Sequence, residues 1–89
     1  GYWTPIANLL IQEYGLTSSS SVLDIGCGKG FLLYELTQLL PGIHVAGIDI
    51  SEYAISRVDP AVREYCFHIN NIKEALSKKK CYECKTIKK

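Results

Sequence analysis

The stretch VLDIGCGKG, residues 22–30, decides how this chain folds. It joins a short apolar run to three glycines at alternate positions, Gly26, Gly28 and Gly30. The residues that follow it have the apolar period of a helix. A strand that passes through a glycine-rich turn into a helix is typical of the first unit of a parallel α/β sheet. Ligands of such sheets bind at this turn, beyond the carboxyl end of the strand.

The segments on either side of this stretch alternate between helical and strand-like patterns. The sequence predicts a helix from Thr4 to Gly15, strands over residues 22–25, 43–50 and 62–69, and helices after Gly30 and Ser51. This order predicts an α/β fold with a Rossmann-like parallel sheet and helices on both faces. Three strands are predicted for that sheet.

The composition is that of one globular unit, with 47% hydrophobic and 21% charged residues among 89. No apolar run is long enough to span a membrane and no signal-peptide pattern is present, so a cytoplasmic location is predicted. The charge is uneven, because seven lysines fall within residues 73–89. Residues 1–72 are therefore predicted to form the domain, and residues 73–89 a lysine-rich tail that is disordered or meets RNA or an acidic partner.

Four cysteines are too few and too unevenly placed for a secreted disulfide framework. Cys81 and Cys84 form one C-x-x-C pair, whereas a structural zinc site needs four ligands. No metal site is predicted, and the role of this pair stays open.

Three ligand classes compete for the glycine loop. A phosphate loop of the G-x-x-x-x-G-K-[ST] type does not match its spacing, and the dinucleotide pattern G-x-G-x-x-G has Phe31 where its third glycine belongs. Asp24, just before the loop, would repel a diphosphate and attract an ammonium group. Two charges about 4 Å apart near a protein surface interact by roughly 4 kcal/mol before desolvation. The loop therefore favours a nucleoside with an amino-acid end.

Asp49 ends the second predicted strand, 19 residues after Gly30. This is close to the spacing at which an acidic residue accepts hydrogen bonds from the two ribose hydroxyls. By itself, an aspartate at a strand end is better explained as the cap of a turn. Together with the glycine loop it indicates a ribose-binding residue.

These residues resemble the first two sequence motifs of the class I S-adenosylmethionine-dependent methyltransferases. Asp24, Gly26, Gly28, Gly30 and Asp49 match the family pattern, and the resemblance covers about residues 2–72. It implies that the loop lies against the methionine part of S-adenosylmethionine and that Asp49 binds its ribose.

The resemblance assigns three further residues to the cofactor site. Ile50 is expected beside the adenine. Asn71 occupies the position of an aspartate that meets the adenine amino group, here without the formal charge, and its alternative role is that of a residue in a left-handed turn. Cys27 belongs to the loop and is given no redox role by the resemblance.

The family's fold has four more strands, and most of its substrate-binding and catalytic residues come from that second half. The chain is therefore expected to be an excerpt of a longer methyltransferase or a shortened form that needs a partner, and by itself to be inactive. No catalytic residue and no methyl acceptor are predicted. Without a fourth strand, the edge of residues 22–25 would be open to self-association. The alternatives are a non-catalytic interaction module with a basic tail and a fragment of a dinucleotide-binding oxidoreductase.

Overall fold

The computed structural model describes residues 2–70 and 85–88 of the chain. Along these residues three α-helices alternate with four β-strands. The helices are α1 (Trp3–Tyr14), α2 (Phe31–Leu39) and α3 (Glu52–Ser56), and the strands are β1 (Ser21–Ile25), β2 (His44–Asp49), β3 (Cys66–His68) and β4 (Lys85–Lys88). Within the same residues, no helix has the length and apolar character that crossing a bilayer requires.

The described strands form one parallel sheet in the order β3-β2-β1-β4. The chain starts in the middle of this sheet, moves outward to β2 and β3, and reaches the other side of β1 with β4. The strand order therefore reverses between β1 and β4, and the carboxyl end of β1 lies at the point where such sheets bind ligands. This arrangement confirms the predicted Rossmann-like α/β class.

The predicted number of strands is wrong, because the lysine-rich segment supplies a fourth. Lys85–Lys88 pairs in parallel with Val22–Ile25, so the edge of β1 that was expected to be open is covered. Self-association through that edge is therefore not expected. The sequence did not indicate β4 because a short strand at the side of a sheet tolerates lysine and needs no apolar run. The division into residues 1–72 and a tail stays a prediction.

The third strand is shorter than the predicted 62–69. Arg63–Tyr65 forms a 3-10 turn, and only Cys66–His68 pairs with β2. Val62 and Cys66 are both buried, with exposed residues between them. Such spacing fits a helical turn better than the alternation of a strand, and the Tyr65 N–H closes the turn on the Val62 carbonyl at 3.0 Å.

The first helix begins at Trp3, slightly earlier than predicted. The Thr4 hydroxyl lies within the helix and donates to Glu35 Oε2 at 3.1 Å, which links α1 to α2. The helix ends at Gly15 as predicted, with φ of 60° and its N–H donating to the Ile11 carbonyl.

Apolar side chains cover both faces of the sheet. On one face, Val22 and Val45 pack with buried residues of α1 and α2. On the other face, Leu23, Ile25 and Ile48 form a second buried cluster with Ile69. Burial on both faces is why β1 and β2 read as nearly continuous apolar runs in the sequence.

Candidate functional site

The loop between β1 and α2 lies at the carboxyl edge of the sheet. Its three glycines all have positive φ, which is 83° at Gly26, 58° at Gly28 and 77° at Gly30. Residues with a Cβ rarely adopt this backbone conformation. The alternation of glycines in the sequence is therefore the local cause of the loop's shape.

The backbone amides at the start of this loop point into the protein. The N–H groups of Gly26 and Cys27 both donate to the Ile48 carbonyl, at 2.8 and 3.0 Å. The N–H of Gly28 donates to Asp49 Oδ2 at 2.8 Å. Phosphate-binding loops present such amides to the ligand. Here β2 already accepts these three hydrogen bonds, so the loop lacks the donors of a phosphate cradle.

Two of the glycines leave room on their outer side. Apart from the glycine and its two neighbours in the chain, no heavy atom of the described residues lies within 4 Å of the Cβ that a side chain at Gly26 or Gly28 would carry. Gly30 differs, because its Cβ would meet Val58 Cγ1 at 3.2 Å and Cys66 Sγ at 3.5 Å. The first two glycines thus let a ligand approach the backbone, and the third lets α2 begin close to the sheet.

Asp49 connects the loop to the start of α3. Its Oδ2 accepts the Gly28 N–H at 2.8 Å and its Oδ1 accepts the Ser51 N–H at 2.7 Å. The side chain is half-buried, and each carboxylate oxygen retains capacity for a second hydrogen bond. The turn role and the ligand role that the sequence left as alternatives are therefore compatible.

Asp24 lies beneath the loop and is fully buried, with 0% of its surface exposed. Two positions from Val22 along β1, it is on the sheet face that packs against the helices. The hydrogen bond between the nearby Cys27 and Cys66 thiols raises the pKa of Cys27 and lowers the pKa of Cys66, and the charge of Asp24 adds a smaller upward contribution to each. The sequence placed this carboxylate facing the loop but did not reveal that it is enclosed.

The remaining predicted residues differ in their surroundings. Ile50 follows Asp49 at the carboxyl edge and is 67% exposed, which is unusual for a large apolar side chain. Cys27 is buried within the loop. Asn71 lies outside the described residues.

Sequence reasoning missed Gly47, which lets the loop pack on β2. A Cβ at Gly47 would stand 2.7 Å from Cys27 Cβ and 2.7 Å from Leu33 Cδ1, closer than such atoms approach. The available signal was a single glycine inside a β-branched strand, which often marks a close approach of two segments.

A helix was predicted after Ser51, and the Ser51 side chain caps it by accepting from the Ala54 N–H at 3.1 Å. Its own N–H, bound to Asp49, was not predicted to belong to the site.

Comparison with known proteins places the chain among methyltransferases. The sequence model of a family described as "Methyltransferase domain" matches residues 16–85. The chain is 30% identical over 69 residues to a malonyl-[acyl-carrier protein] O-methyltransferase of Bacillus cereus, covering 75% of this chain and 26% of that protein. It is 40% identical over 55 residues to a ubiquinone biosynthesis O-methyltransferase of Paraburkholderia xenovorans, covering 62% of this chain and 23% of that protein.

Solved structures agree with the sequence comparison. The plantazolicin methyltransferase BpumL, crystallised with a triazolic desmethylPZN analog and SAH, superposes with a TM-score of 0.52 at 28% identity, over 79% of this chain and 26% of that one. Coclaurine N-methyltransferase, bound to N-methylheliamine and SAH, shares the fold with a TM-score of 0.59 at 18% identity, over 96% and 21% of the two chains. The chain spans about a quarter of the length of the curated relatives it matches.

Proposed function

This chain belongs to the methyltransferase domain family, and from that premise we propose that it is the S-adenosylmethionine-binding part of a methyltransferase. The residues that fit the cofactor are the open glycines of the loop, the Asp49 carboxylate and the exposed Ile50. The cofactor would supply an electrophilic methyl group. The protein's contribution is to bind and orient it.

The observation that carries this proposal is the inward direction of the loop amides. Because Gly26, Cys27 and Gly28 donate to β2, a diphosphate would find few hydrogen-bond donors at the loop. A ligand that brings its own donors, such as an ammonium group and ribose hydroxyls, suits this surface better. The solved methyltransferases that resemble the chain at 27–28% identity include complexes with SAH, which supports the same ligand class.

Within the proposal, Asp49 accepts the ribose hydroxyls with oxygens that are already oriented by Gly28 and Ser51. Fixed acceptors lose little conformational freedom when the ligand arrives, which increases affinity. Ile50 offers an apolar surface for the adenine, and Asn71 is proposed to meet the adenine amino group.

Asp24 is proposed to favour the cationic end of the cofactor through its buried negative charge. A carboxylate with 0% exposure acts on a ligand through its electric field, and that field is weakly screened inside the protein. The same charge disfavours phosphates. Asp24 therefore contributes to selectivity more than to direct contact.

Methyl transfer by the whole protein is part of the proposal. The names of the relatives differ, a malonyl-[acyl-carrier protein] O-methyltransferase and a ubiquinone biosynthesis O-methyltransferase among them, and no acceptor is proposed for this chain. Catalysis of such a displacement depends mainly on positioning the acceptor in line with the methyl group. The predicted cytoplasmic location stays a prediction.

Calorimetric titration with S-adenosylhomocysteine and, separately, with NAD tests the proposal. We expect saturable binding of S-adenosylhomocysteine with a dissociation constant of roughly 1 μM to 1 mM, and no saturable binding of NAD. Asp49→Ala should weaken the first interaction at least tenfold, whereas Glu13→Ala, at an exposed position of α1, should leave it unchanged. Binding of NAD alone would support the oxidoreductase alternative and contradict the proposal.

A further inference from the structure

Two thiols lie where the glycine loop packs on the sheet, Cys27 in the loop itself and Cys66 at the start of β3. Cys27 and Cys66 are both free thiols and both buried, with 4% and 6% of their surfaces exposed. They are far apart in the sequence, and neither forms part of the C-x-x-C motif at Cys81 and Cys84.

Their proximity follows from how the loop packs on the sheet. Cys27 lies over Gly47, since a Cβ added there would be 2.8 Å from Cys27 Sγ. Gly47 is paired in register with Cys66 on the neighbouring strand. Residues paired in this way lie about 5 Å apart across a sheet. Gly47 thus removes the one side chain that would separate the two thiols.

The surroundings of Gly30 support the same contact between Cys66 and the glycine loop. Its Cβ would lie 3.5 Å from Cys66 Sγ. Cys66 therefore points toward the loop that carries Cys27. Both thiols belong to the same buried cluster.

We propose that Cys27 and Cys66 are a redox modification site, which a peroxide oxidises to an intramolecular disulfide that ties the glycine loop to β3. The thiols interact directly, as their hydrogen bond raises the pKa of Cys27 and lowers the pKa of Cys66, and burial raises the pKa of Cys27 further. Cys66 is therefore the thiol that ionises first and reacts with the oxidant.

The reaction proceeds in two balanced steps. The Cys66 thiolate attacks one peroxide oxygen, the O–O bond breaks, and the departing hydroxide takes up a proton to leave as water, with a sulfenic acid formed on Cys66. The sulfur of Cys27 then attacks the sulfur of Cys66, which forms the S–S bond and releases a second water. Two thiols are oxidised and one hydrogen peroxide is reduced to two waters. A small oxidant is required because both side chains are nearly enclosed.

Peptide mapping without reduction tests this site in the unmodified chain. Trypsin places Cys27 in the peptide of residues 1–29, Cys66 in residues 64–73, and both Cys81 and Cys84 in residues 81–85. After treatment with hydrogen peroxide and blocking of free thiols, we expect a cross-linked species of the first two peptides that has lost two hydrogen atoms. Dithiothreitol should convert it back to the separate peptides.

Two variants make the assignment specific. Cys66→Ser should abolish the cross-linked species, and the double variant Cys81→Ser, Cys84→Ser should form it as readily as the parent. A bond confined to the peptide of residues 81–85, over-oxidation of Cys27 or Cys66 without cross-linking, or a cross-link that forms only in urea would overturn the proposal. None of these readouts depends on the binding of S-adenosylmethionine, so the proposed function can fail without affecting this result.

Discussion

Asp49 is the residue at which the fold and the proposed function coincide. Its two carboxylate oxygens orient the backbone at Gly28 and at Ser51, on opposite sides of the site. Its backbone carbonyl accepts the Ile69 N–H at 3.0 Å. One aspartate thus joins the glycine loop, the start of α3 and the end of β3.

Asp49→Asn is expected to affect both stability and binding. Asparagine has one acceptor oxygen, so its NH2 group would face either the Gly28 or the Ser51 N–H, donor against donor. The free energy of unfolding should fall by about 1–3 kcal/mol. The affinity for S-adenosylhomocysteine should fall roughly 10- to 100-fold, since hydrogen bonds to a charged partner are worth about 1.5–3 kcal/mol.

Urea unfolding and calorimetry measure the two effects of this substitution. The matched control is Glu13→Gln, which makes the same chemical change at an exposed position of α1. If both variants had the same free energy of unfolding and the same affinity for S-adenosylhomocysteine, Asp49 would not have the role assigned to it.

Gly47→Ala tests the close approach of the loop to β2. The new methyl group would stand 2.7 Å from both Cys27 Cβ and Leu33 Cδ1, so the loop or α2 must shift. Overpacking of this kind lowers the free energy of unfolding by about 1–3 kcal/mol. Chemical denaturation measures it, with His44→Ala as the control because His44 is exposed on the same strand. Unchanged stability of Gly47→Ala would refute the contact.

Cys27 predicts a dependence of stability on pH. Its pKa is raised above the ordinary 9.0 by the hydrogen bond with Cys66, by burial and by nearby Asp24. Above pH 9 the unfolded chain releases this proton while the folded chain retains it, so stability is present below that pH and is lost as the pH rises. A difference of one bound proton between the folded and the unfolded chain changes the free energy of unfolding by about 1.4 kcal/mol per pH unit.

Unfolding curves between about pH 8 and pH 10.5 isolate the part of this effect that burial and Asp24 cause, if Cys66→Ala serves as the parent and Cys27→Ala is added to it as the variant, because Cys66 is then absent from both proteins. The tyrosines and lysines titrate in both proteins and cancel in the difference. The variant should lose less stability over this range than the parent. If the stability of both proteins changed equally with pH, the raised pKa of Cys27 would be contradicted.

At the scale of elements, β4 has the largest effect on the sheet. It converts β1 from an edge strand into an internal one by pairing with Val22–Ile25. Its place beside β1 also sets the point at which the strand order reverses. The lysine-rich end of the chain is therefore structural over residues 85–88.

A chain ending at Cys84 should lose this pairing. Each backbone hydrogen bond contributes about 0.5–1.5 kcal/mol, so the loss of the β1–β4 ladder should cost roughly 2–4 kcal/mol. The exposed edge of β1 should also cause association that increases with concentration. Urea unfolding and sedimentation velocity report the two effects, and a chain lacking only Lys89 serves as control. If the two shortened chains had the same free energy of unfolding and the same tendency to associate, β4 would not be a stabilising element.

At the scale of the whole molecule, the site draws on segments that are distant in the sequence. The loop follows β1, Asp49 ends β2, and the buried cluster beneath them includes side chains of α1 and α2. A ligand that bridges the loop and β2 should therefore stabilise the whole fold and not only its local segment.

Thermal unfolding with added S-adenosylhomocysteine measures this coupling. At a ligand concentration of about 100 times the dissociation constant, the stabilisation should be about 2.7 kcal/mol. For a domain of this size, that corresponds to an increase in Tm of roughly 10 °C or more. NAD at the same concentration is the control and should leave Tm unchanged. An equal increase with both ligands would remove the selectivity assigned to the loop.

The features that could be predicted from the sequence are those with a local cause. Apolar periodicity determined the order of helices and strands, and alternating glycines determined a loop that requires positive φ at Gly26, Gly28 and Gly30. The position of Asp49 at the end of an apolar strand, together with that loop, was sufficient to indicate the family. The third strand was predicted too long because Val62 and Cys66 are buried with three exposed residues between them, which is the spacing of a helical turn and is not revealed by a window of mixed residues.

Other features were decided only by the tertiary structure, because they depend on contacts between distant segments. Nothing in Lys85–Lys88 marks a strand until β1 is placed beside it. The inward direction of the loop amides depends on the Ile48 carbonyl and the Asp49 carboxylate, and the pairing of Cys27 with Cys66 depends on the absence of a side chain at Gly47. Backbone preferences are set by neighbouring residues, whereas hydrogen-bond partners and buried neighbours are set by the way the chain packs.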